Sequence, residues 1–250
     1  MFLRQGRYYF TADVHLGSRD DSDGRLEREF LDFLHSIPEE AKGLYLLGDI
    51  FDFWVDYRDV VPRGYVRILA ALAELVDRGV DVRFYPGNHD WWVTDYFEKE
   101  LGVKIVHECW SVQEMDGKQV CLGHGDMPGA ADLRCRLIFH LFHSRFWIGV
   151  LRTLHPRLSF GLARRWSAGS RSRHPENPDN SGGRQDLELA STGIYKFADE
   201  LGRARAAAGE APVDLYIFGH IHTPVRAAVP SGGELVILGD WADGAKYFCL

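Results

Sequence analysis

Residues 44–52 read Leu44-Tyr45-Leu46-Leu47-Gly48-Asp49-Ile50-Phe51-Asp52. Leu44–Leu47 is a short apolar run of strand character, and it stops at a glycine followed by a carboxylate, Asp49. The same scheme recurs on either side. Upstream, Tyr8–Ala12 is a strand-like run that ends at Asp13 and His15. Downstream, Val80–Tyr85 ends at Pro86-Gly87-Asn88, followed by His89 and Asp90. Helical periodicity fills the gaps. Arg25–Ser36 carries Leu26, Phe30, Phe33 and Leu34 on one side, and Tyr65–Arg78 is amphipathic and closed by Gly79. This alternation of strand and helix predicts a largely parallel sheet.

Beyond residue 100 the pattern changes. Lys104–Gln113 and Lys118–Leu122 flank Asp116-Gly117, a hairpin signal. Leu215–Phe218, Val225–Val229, Glu234–Leu238 and Lys246–Cys249 read as further strands, with Ser231-Gly232-Gly233 as a turn. The expectation is an α/β fold of two packed mixed β-sheets flanked by helices.

Residues 128–184 interrupt it. From Arg134 to Arg173 there are nine arginines and no Asp or Glu, together with Phe139, Phe142, Phe146, Trp147, Phe160 and Trp166. Leu137–Leu154 is helical in pattern, and 174–184 is rich in Pro, Asn, Ser and Gly, as in an exit loop. The expected organisation is a core of 1–127 and 185–250, with 128–184 as an inserted helical lid. The alternative for the insert is an ordinary helical hairpin with a solvated basic face.

The bulk numbers set bounds. A chain of 250 residues with 46% hydrophobic content can bury one substantial core. The formal net charge of -7 argues against a general nucleic-acid binder, so no nucleic-acid partner is expected. Cys109, Cys121, Cys135 and Cys249 show no CxxC or zinc-knuckle spacing and predict reduced thiols in a reducing compartment. Met1–Phe10 lacks the features of a secretory signal, and no uninterrupted run of 18 apolar residues predicts a membrane span.

The polar residues that carry chemistry sit where strands end. They are Asp13 and His15, Asp49, Asn88, His124 within Gly123-His124-Gly125, and His220 and His222 within Gly219-His220-Ile221-His222. In sheets flanked by helices, ligands bind beyond the carboxyl ends of the strands. Oxygen donors mixed with imidazoles suit Mn²⁺, Fe²⁺ or Zn²⁺ better than Ca²⁺. A pair of ions needs a bridging ligand, and the two oxygens of Asp49 make it the natural candidate. Any one of these elements alone reads as a solvated turn; five in order, each closing an apolar strand, read as a two-metal site. Asp52 and Asp90 have two readings, as carboxylates that orient histidines or as caps of turns.

The order Asp-x-His, Gly-Asp-x-x-Asp, Gly-Asn-His-Asp, Gly-His, Gly-His-x-His resembles the calcineurin-like metallophosphoesterase superfamily, from Asp13 to His222. The resemblance implies an αββα sandwich. It implies one metal held by Asp13, His15, Asp49 and His222, and a second held by Asp49, Asn88, His124 and His220. It also implies a catalytic His89 over the reacting phosphoryl group. Two cations would offset the repulsion between a phosphate and an attacking water and would lower the pKa of that water.

Protein phosphatases of the superfamily continue Gly-Asp-x-x-Asp with Arg-Gly, whereas Phe53-Trp54 follows here. The stretch Gly48–Trp54 is instead similar to the UDP-2,3-diacylglucosamine pyrophosphatase family of lipid A synthesis. So are His143-Ser144-Arg145-Phe146, Leu154-His155-Pro156, Arg164-Arg165-Trp166-Ser167 and Leu238-Gly239-Asp240-Trp241. That resemblance implies hydrolysis at the α-phosphorus to UMP and 2,3-diacylglucosamine 1-phosphate, two divalent ions with Mn(II) preferred, and a lid over the acyl chains. Substrate contacts would come from Asn88, His89, Asp132, Ser170 and His220. Two departures stand out: the better-known branch of the family has Arg where His89 stands, and a Tyr expected three residues after Asp132 is Cys135. A basic, aromatic lid also suits the anionic inner leaflet, which predicts a cytoplasmic, peripheral-membrane enzyme. The competing readings are a phosphodiesterase or nucleotide pyrophosphatase of broader specificity, and a non-catalytic scaffold on the same fold.

Overall fold

The computed structural model describes residues 7–18, 21, 23–57, 60–126, 149, 153, 189, 192–242 and 244–250. The insert expected at 128–184, with Asp132 and Ser170, therefore lies outside the described residues apart from Gly149 and Thr153.

Three short strands set the frame. β1 (Tyr8–Thr11), β2 (Gly43–Leu46) and β3 (Asp81–Phe84) run parallel, with Thr11 opposite Leu46 and Leu46 opposite Phe84. Their carboxyl ends are therefore level, and the loops that carry Asp13, Asp49 and Asn88 leave from one edge of the sheet. Each connection between these strands contains a helix, α1 (Arg25–Ser36) or α2 (Val66–Asp77), as parallel pairing requires. β4 (Lys104–Ile105) extends the sheet in parallel beyond β3, after the short α3 (Tyr96–Leu101). On the other edge, β10 (Phe248–Cys249) pairs antiparallel with β1.

The second sheet has the order β5-β6-β7-β9-β8. β5 (Trp110–Met115) and β6 (Lys118–Gly123) form a hairpin in which Met115 pairs with Lys118. Its two turn residues, Asp116 and Gly117, have φ of 47° and 82°, the left-handed pair whose twist matches the strands. β7 (Leu215–Phe218) and β9 (Glu234–Ile237) are parallel, and β8 (Val225–Ala228) returns antiparallel to β9 through the Ser231-Gly232-Gly233 turn. Both sheets are mixed, as expected.

Alternation along the strands sorts side chains into layers. Leu44, Leu46, Val82 and Phe84 face α1, α2 and α3, where they meet Leu26, Phe30, Phe33, Ile68, Leu72 and Phe97. Phe10, Tyr45, Leu47 and Tyr85 face inward and pack on Val120, Leu122, Ile217, Val236 and Leu238 of the second sheet. The outer face of that sheet, with Cys121, Tyr216, Phe218 and Ile237, is covered by Ile194 and Ala198 of α4 (Gly193–Ala207). Burial on both faces explains why β2 and β7 read as continuous apolar runs. The layers run helix, sheet, sheet, helix.

One expectation is corrected. Lys104–Gln113 is not one strand. Lys104–Ile105 belongs to the first sheet and Trp110–Met115 to the second, so this stretch crosses between them. Apolar spacing records burial, not which sheet a residue joins. Among the described cysteines, Cys109, Cys121 and Cys249 are free thiols. No helix among the described residues is long and apolar enough to cross a membrane.

Candidate metal centre

The loops beyond β1, β2 and β3 are stitched together by main-chain hydrogen bonds. The Asp13 N–H donates to Gly48 O at 3.0 Å, and the His15 N–H donates to Asp49 O at 3.0 Å. Asp13, His15, Asp49 and His220 all have left-handed backbone, with φ of 52°, 52°, 53° and 66°. Among the described non-glycine residues the only other such case is Asp116 in its turn. A left-handed side-chain-bearing residue costs about 1–3 kcal/mol and persists only where its surroundings enforce it. That strain is concentrated on residues that the strand-end pattern singles out.

Asp90 holds two of the loops in place. Its fully buried carboxylate accepts from the N–H groups of Gly87 (2.7 Å), Asp49 (3.2 Å), Ile50 (2.8 Å) and Phe51 (3.3 Å). Of its two sequence readings, the cap of a turn is the one realised. The approach is close enough to require glycine: a Cβ on Gly48 would lie 2.6 Å from His124 Nδ1, and one on Gly87 would run into Asp49 Oδ1.

Two sets of donor atoms converge above these loops. In the first, His15 Nε2 and His222 Nε2 are 3.3 Å apart, and Asp13 Oδ1 lies 3.8 Å from His222 Nε2. Two nitrogens bound tetrahedrally to one ion at zinc–imidazole distances stand about 3.3 Å apart. Asp13 Oδ1 is buried and has no hydrogen-bond partner among the described residues, an orphan that a cation would satisfy. In the second set, Asn88 Oδ1 lies 3.1 Å from both His124 Nε2 and His220 Nδ1, and Asp49 Oδ2 is 3.5 Å from His124 Nε2. The donor chemistry and the orphaned oxygen fit divalent ions at both places. Asp13, Asp49 and His124 form a further group able to share an ion, so the two sets are contiguous.

The electrostatics follow from burial. Burial pushes the Asp13 carboxyl up to about 7, His124 opposes that rise, and Asp49 adds to it. Burial and the neighbouring Asp49 likewise push Asp90 up to about 7. For Asp49, burial acts upward too, but the imidazoles of His124, His89 and His15 outweigh it and hold the carboxyl well below the usual range. Burial pushes His220 down to about 3, and His124 adds to the effect, so its ring is neutral and able to ligate.

His89 stands beside both sets. Its N–H donates to Asp49 Oδ1 at 2.8 Å, its Nδ1 donates to the main-chain oxygen of Asp52 at 2.9 Å, and its ring lies edge-on to His15. Asp52 thus orients a histidine, chiefly through its carbonyl; its carboxylate is 3.6 Å away.

A sequence model of the calcineurin-like phosphoesterase family matches residues 6–224. The chain belongs to this family. It is similar to the UDP-2,3-diacylglucosamine hydrolase of Porphyromonas gingivalis, with 37% identity over 95% of this chain and 91% of that protein. It is also similar to the protein of the same name from Pseudomonas putida, with 29% identity over 92% of this chain and 89% of that one. Among solved structures, phosphopantetheinyl hydrolase from Mycobacterium tuberculosis aligns with 95% of this chain and 92% of its own, at a TM-score of 0.44 and 15% identity.

This phosphoesterase is a hydrolase, and the chemistry of its family uses divalent metal ions. All of Asp13, His15, Asp49, Asn88, His89, His124, His220 and His222 lie in one cluster. One residue of the site was not read from strand-end spacing. The Asp240 carboxylate faces His222 Nδ1, with Oδ2 at 3.2 Å. Its signal was present in Gly239-Asp240 after β9, the same glycine-carboxylate punctuation that marks Asp49.

Proposed function

We propose that this phosphoesterase hydrolyses the pyrophosphate of UDP-2,3-diacylglucosamine to UMP and 2,3-diacylglucosamine 1-phosphate. What carries the reading is the likeness to relatives of that name along nearly their whole length, in a chain whose donor atoms converge in two contiguous sets.

In this proposal Asp13, His15, Asp49 and His222 would hold one ion, and Asp49, Asn88, His124 and His220 would hold the other, with Mn(II) the preferred metal. When bound, the pair supplies positive charge against the phosphates and lowers the pKa of the attacking water. The remaining work falls to the chain. Asp49 is kept ionised by the surrounding imidazoles, and its two oxygens make it the ligand that would serve both ions. His89, with Nδ1 tied to Asp52, turns Nε2 to the phosphoryl oxygens or the leaving oxygen, as hydrogen-bond donor or general acid. Asn88 and His220 contact the phosphates at the rim of the site, and Asp132 and Ser170 contact the substrate from the insert.

The insert 128–184 acts as a lid over the acyl chains. Its arginines draw the enzyme to the anionic cytoplasmic face of the bacterial inner membrane, at about 1 kcal/mol per basic residue near the surface. Hydrolysis in ¹⁸O-water with mass analysis of both products tests the chemistry. Attack at the α-phosphorus puts the label in UMP; label in the lipid phosphate would contradict it.

A further inference from the structure

Three histidines of the centre have the ring nitrogen remote from it set against an oxygen. For His124 the acceptor is Leu47 O and for His89 it is Asp52 O, both neutral carbonyls. His222 faces a carboxylate instead, with Asp240 Oδ2 3.2 Å from Nδ1. Asp240 is itself firmly placed. Its N–H donates to His222 O at 3.2 Å, and its Oδ1 accepts from the Ala242 N–H at 3.3 Å. The next residue, Trp241, is fully buried, edge-on to Phe30 and Phe33, and its Nε1–H donates to Thr11 Oγ1 at 3.0 Å. The preceding Gly239 has φ of 75°, and a Cβ there would lie 2.9 Å from Pro224 Cδ and 3.1 Å from His222 O. The loop thus lies tight against residues 222–224, and its position sets where the carboxylate points.

We propose that Asp240 is a positioning residue that locks His222 in the tautomer with the proton on Nδ1, so that Nε2 offers its lone pair beside His15 Nε2 and Asp13 Oδ1. A carboxylate facing Nδ1 can only accept, which in the neutral ring favours the proton on Nδ1 and the lone pair on Nε2, and its charge makes Nε2 a stronger donor to a metal than a carbonyl would. Without it, the Nε2–H tautomer competes. The inference rests on the metal assignment proposed above, and it predicts an asymmetric effect: Asp240 serves the Asp13–His15–His222 ion and not its neighbour.

The test uses the full-length chain as wild type, Asp240→Asn and Asp240→Ala, with three readouts. These are Mn²⁺ titration followed by electron paramagnetic resonance, ¹⁵N imidazole spectra of metal-free protein, and thermal melting. The expected result is two Mn²⁺ per wild-type chain, and in both variants one ion held as in wild type with the other weakened about 10- to 100-fold. His222 shows the Nδ1–H pattern in wild type and mixed tautomers in Asp240→Asn, whose metal-free melting is unchanged. Wild-type affinity for both ions in Asp240→Asn overturns the proposal, and so does an equal loss of both ions with a lowered melting temperature. If wild type binds fewer than two ions the dinuclear reading fails, while the His222 tautomer still decides the role of Asp240.

Discussion

The Nδ1–H of His124 donates to the main-chain carbonyl of Leu47 at 2.9 Å, and that bond aims Nε2 at Asn88 Oδ1, 3.1 Å away. Leu47 directly follows β2, so the strand that carries Asp49 also sets the tautomer of a histidine from β6. His124→Ala is expected to remove one of two Mn²⁺ per chain, measured by metal analysis of the purified protein. Loss of about 4 kcal/mol of transition-state stabilisation lowers turnover about 10³-fold. Full metal content in this variant would contradict the assignment.

His89 has a different expected phenotype. It shares a possible metal-binding group with His15 and Asp52, but its Nδ1 is taken up by the Asp52 carbonyl, so His89→Ala is expected to keep both ions. Its kcat falls by about 10²–10⁴-fold, the usual contribution of a positioned acid or donor. Purification of this variant as an apoprotein would remove His89 from that role.

Asp90 tests the scaffold rather than the chemistry. Truncation to Ala leaves buried N–H groups of Gly87, Asp49, Ile50 and Phe51 without their acceptor. The cost is about 3 kcal/mol or more, a fall in Tm of about 6–12 °C for a chain of this size. Thermal melting of metal-free Asp90→Ala reads this directly, and a change under about 2 °C would show that the loops hold their shape without it.

Much of this architecture is legible in the chain. Arg25–Ser36 and Leu215–Phe218 have the same bounds in sequence pattern and structure, because strong apolar periodicity and flanking turn residues mark both. The eight clustered polar residues are legible because each follows an apolar run. What escaped has a physical cause in each case. The break between Ile105 and Trp110 depends on which sheet offers a partner, which no local pattern encodes. Tyr96–Leu101 and Gly193–Ala207 were not read as helices; the first is a single short helix, and the second has a weakly apolar buried face in which Ile194, Ala198 and Gly202 are the buried residues. The left-handed backbone at Asp13, His15, Asp49 and His220 comes from the cross-loop bonding of the strand ends, visible only once the strands are level. Asp90, open to two readings, holds backbone N–H groups, while Asp240, given no role from strand-end spacing, faces a histidine. Residue type alone does not separate those two uses of a carboxylate.

The central claim is substrate choice by a two-metal site, and UMP release measures it most directly. With Mn²⁺ present, the chain is expected to release UMP from UDP-2,3-diacylglucosamine, while the Asp49→Asn variant releases none. UDP-glucose and a simple aryl phosphodiester, which lack the acyl chains, are expected to be cleaved far less efficiently. Cleavage of either with a kcat/KM equal to that of the diacylated substrate would contradict the account.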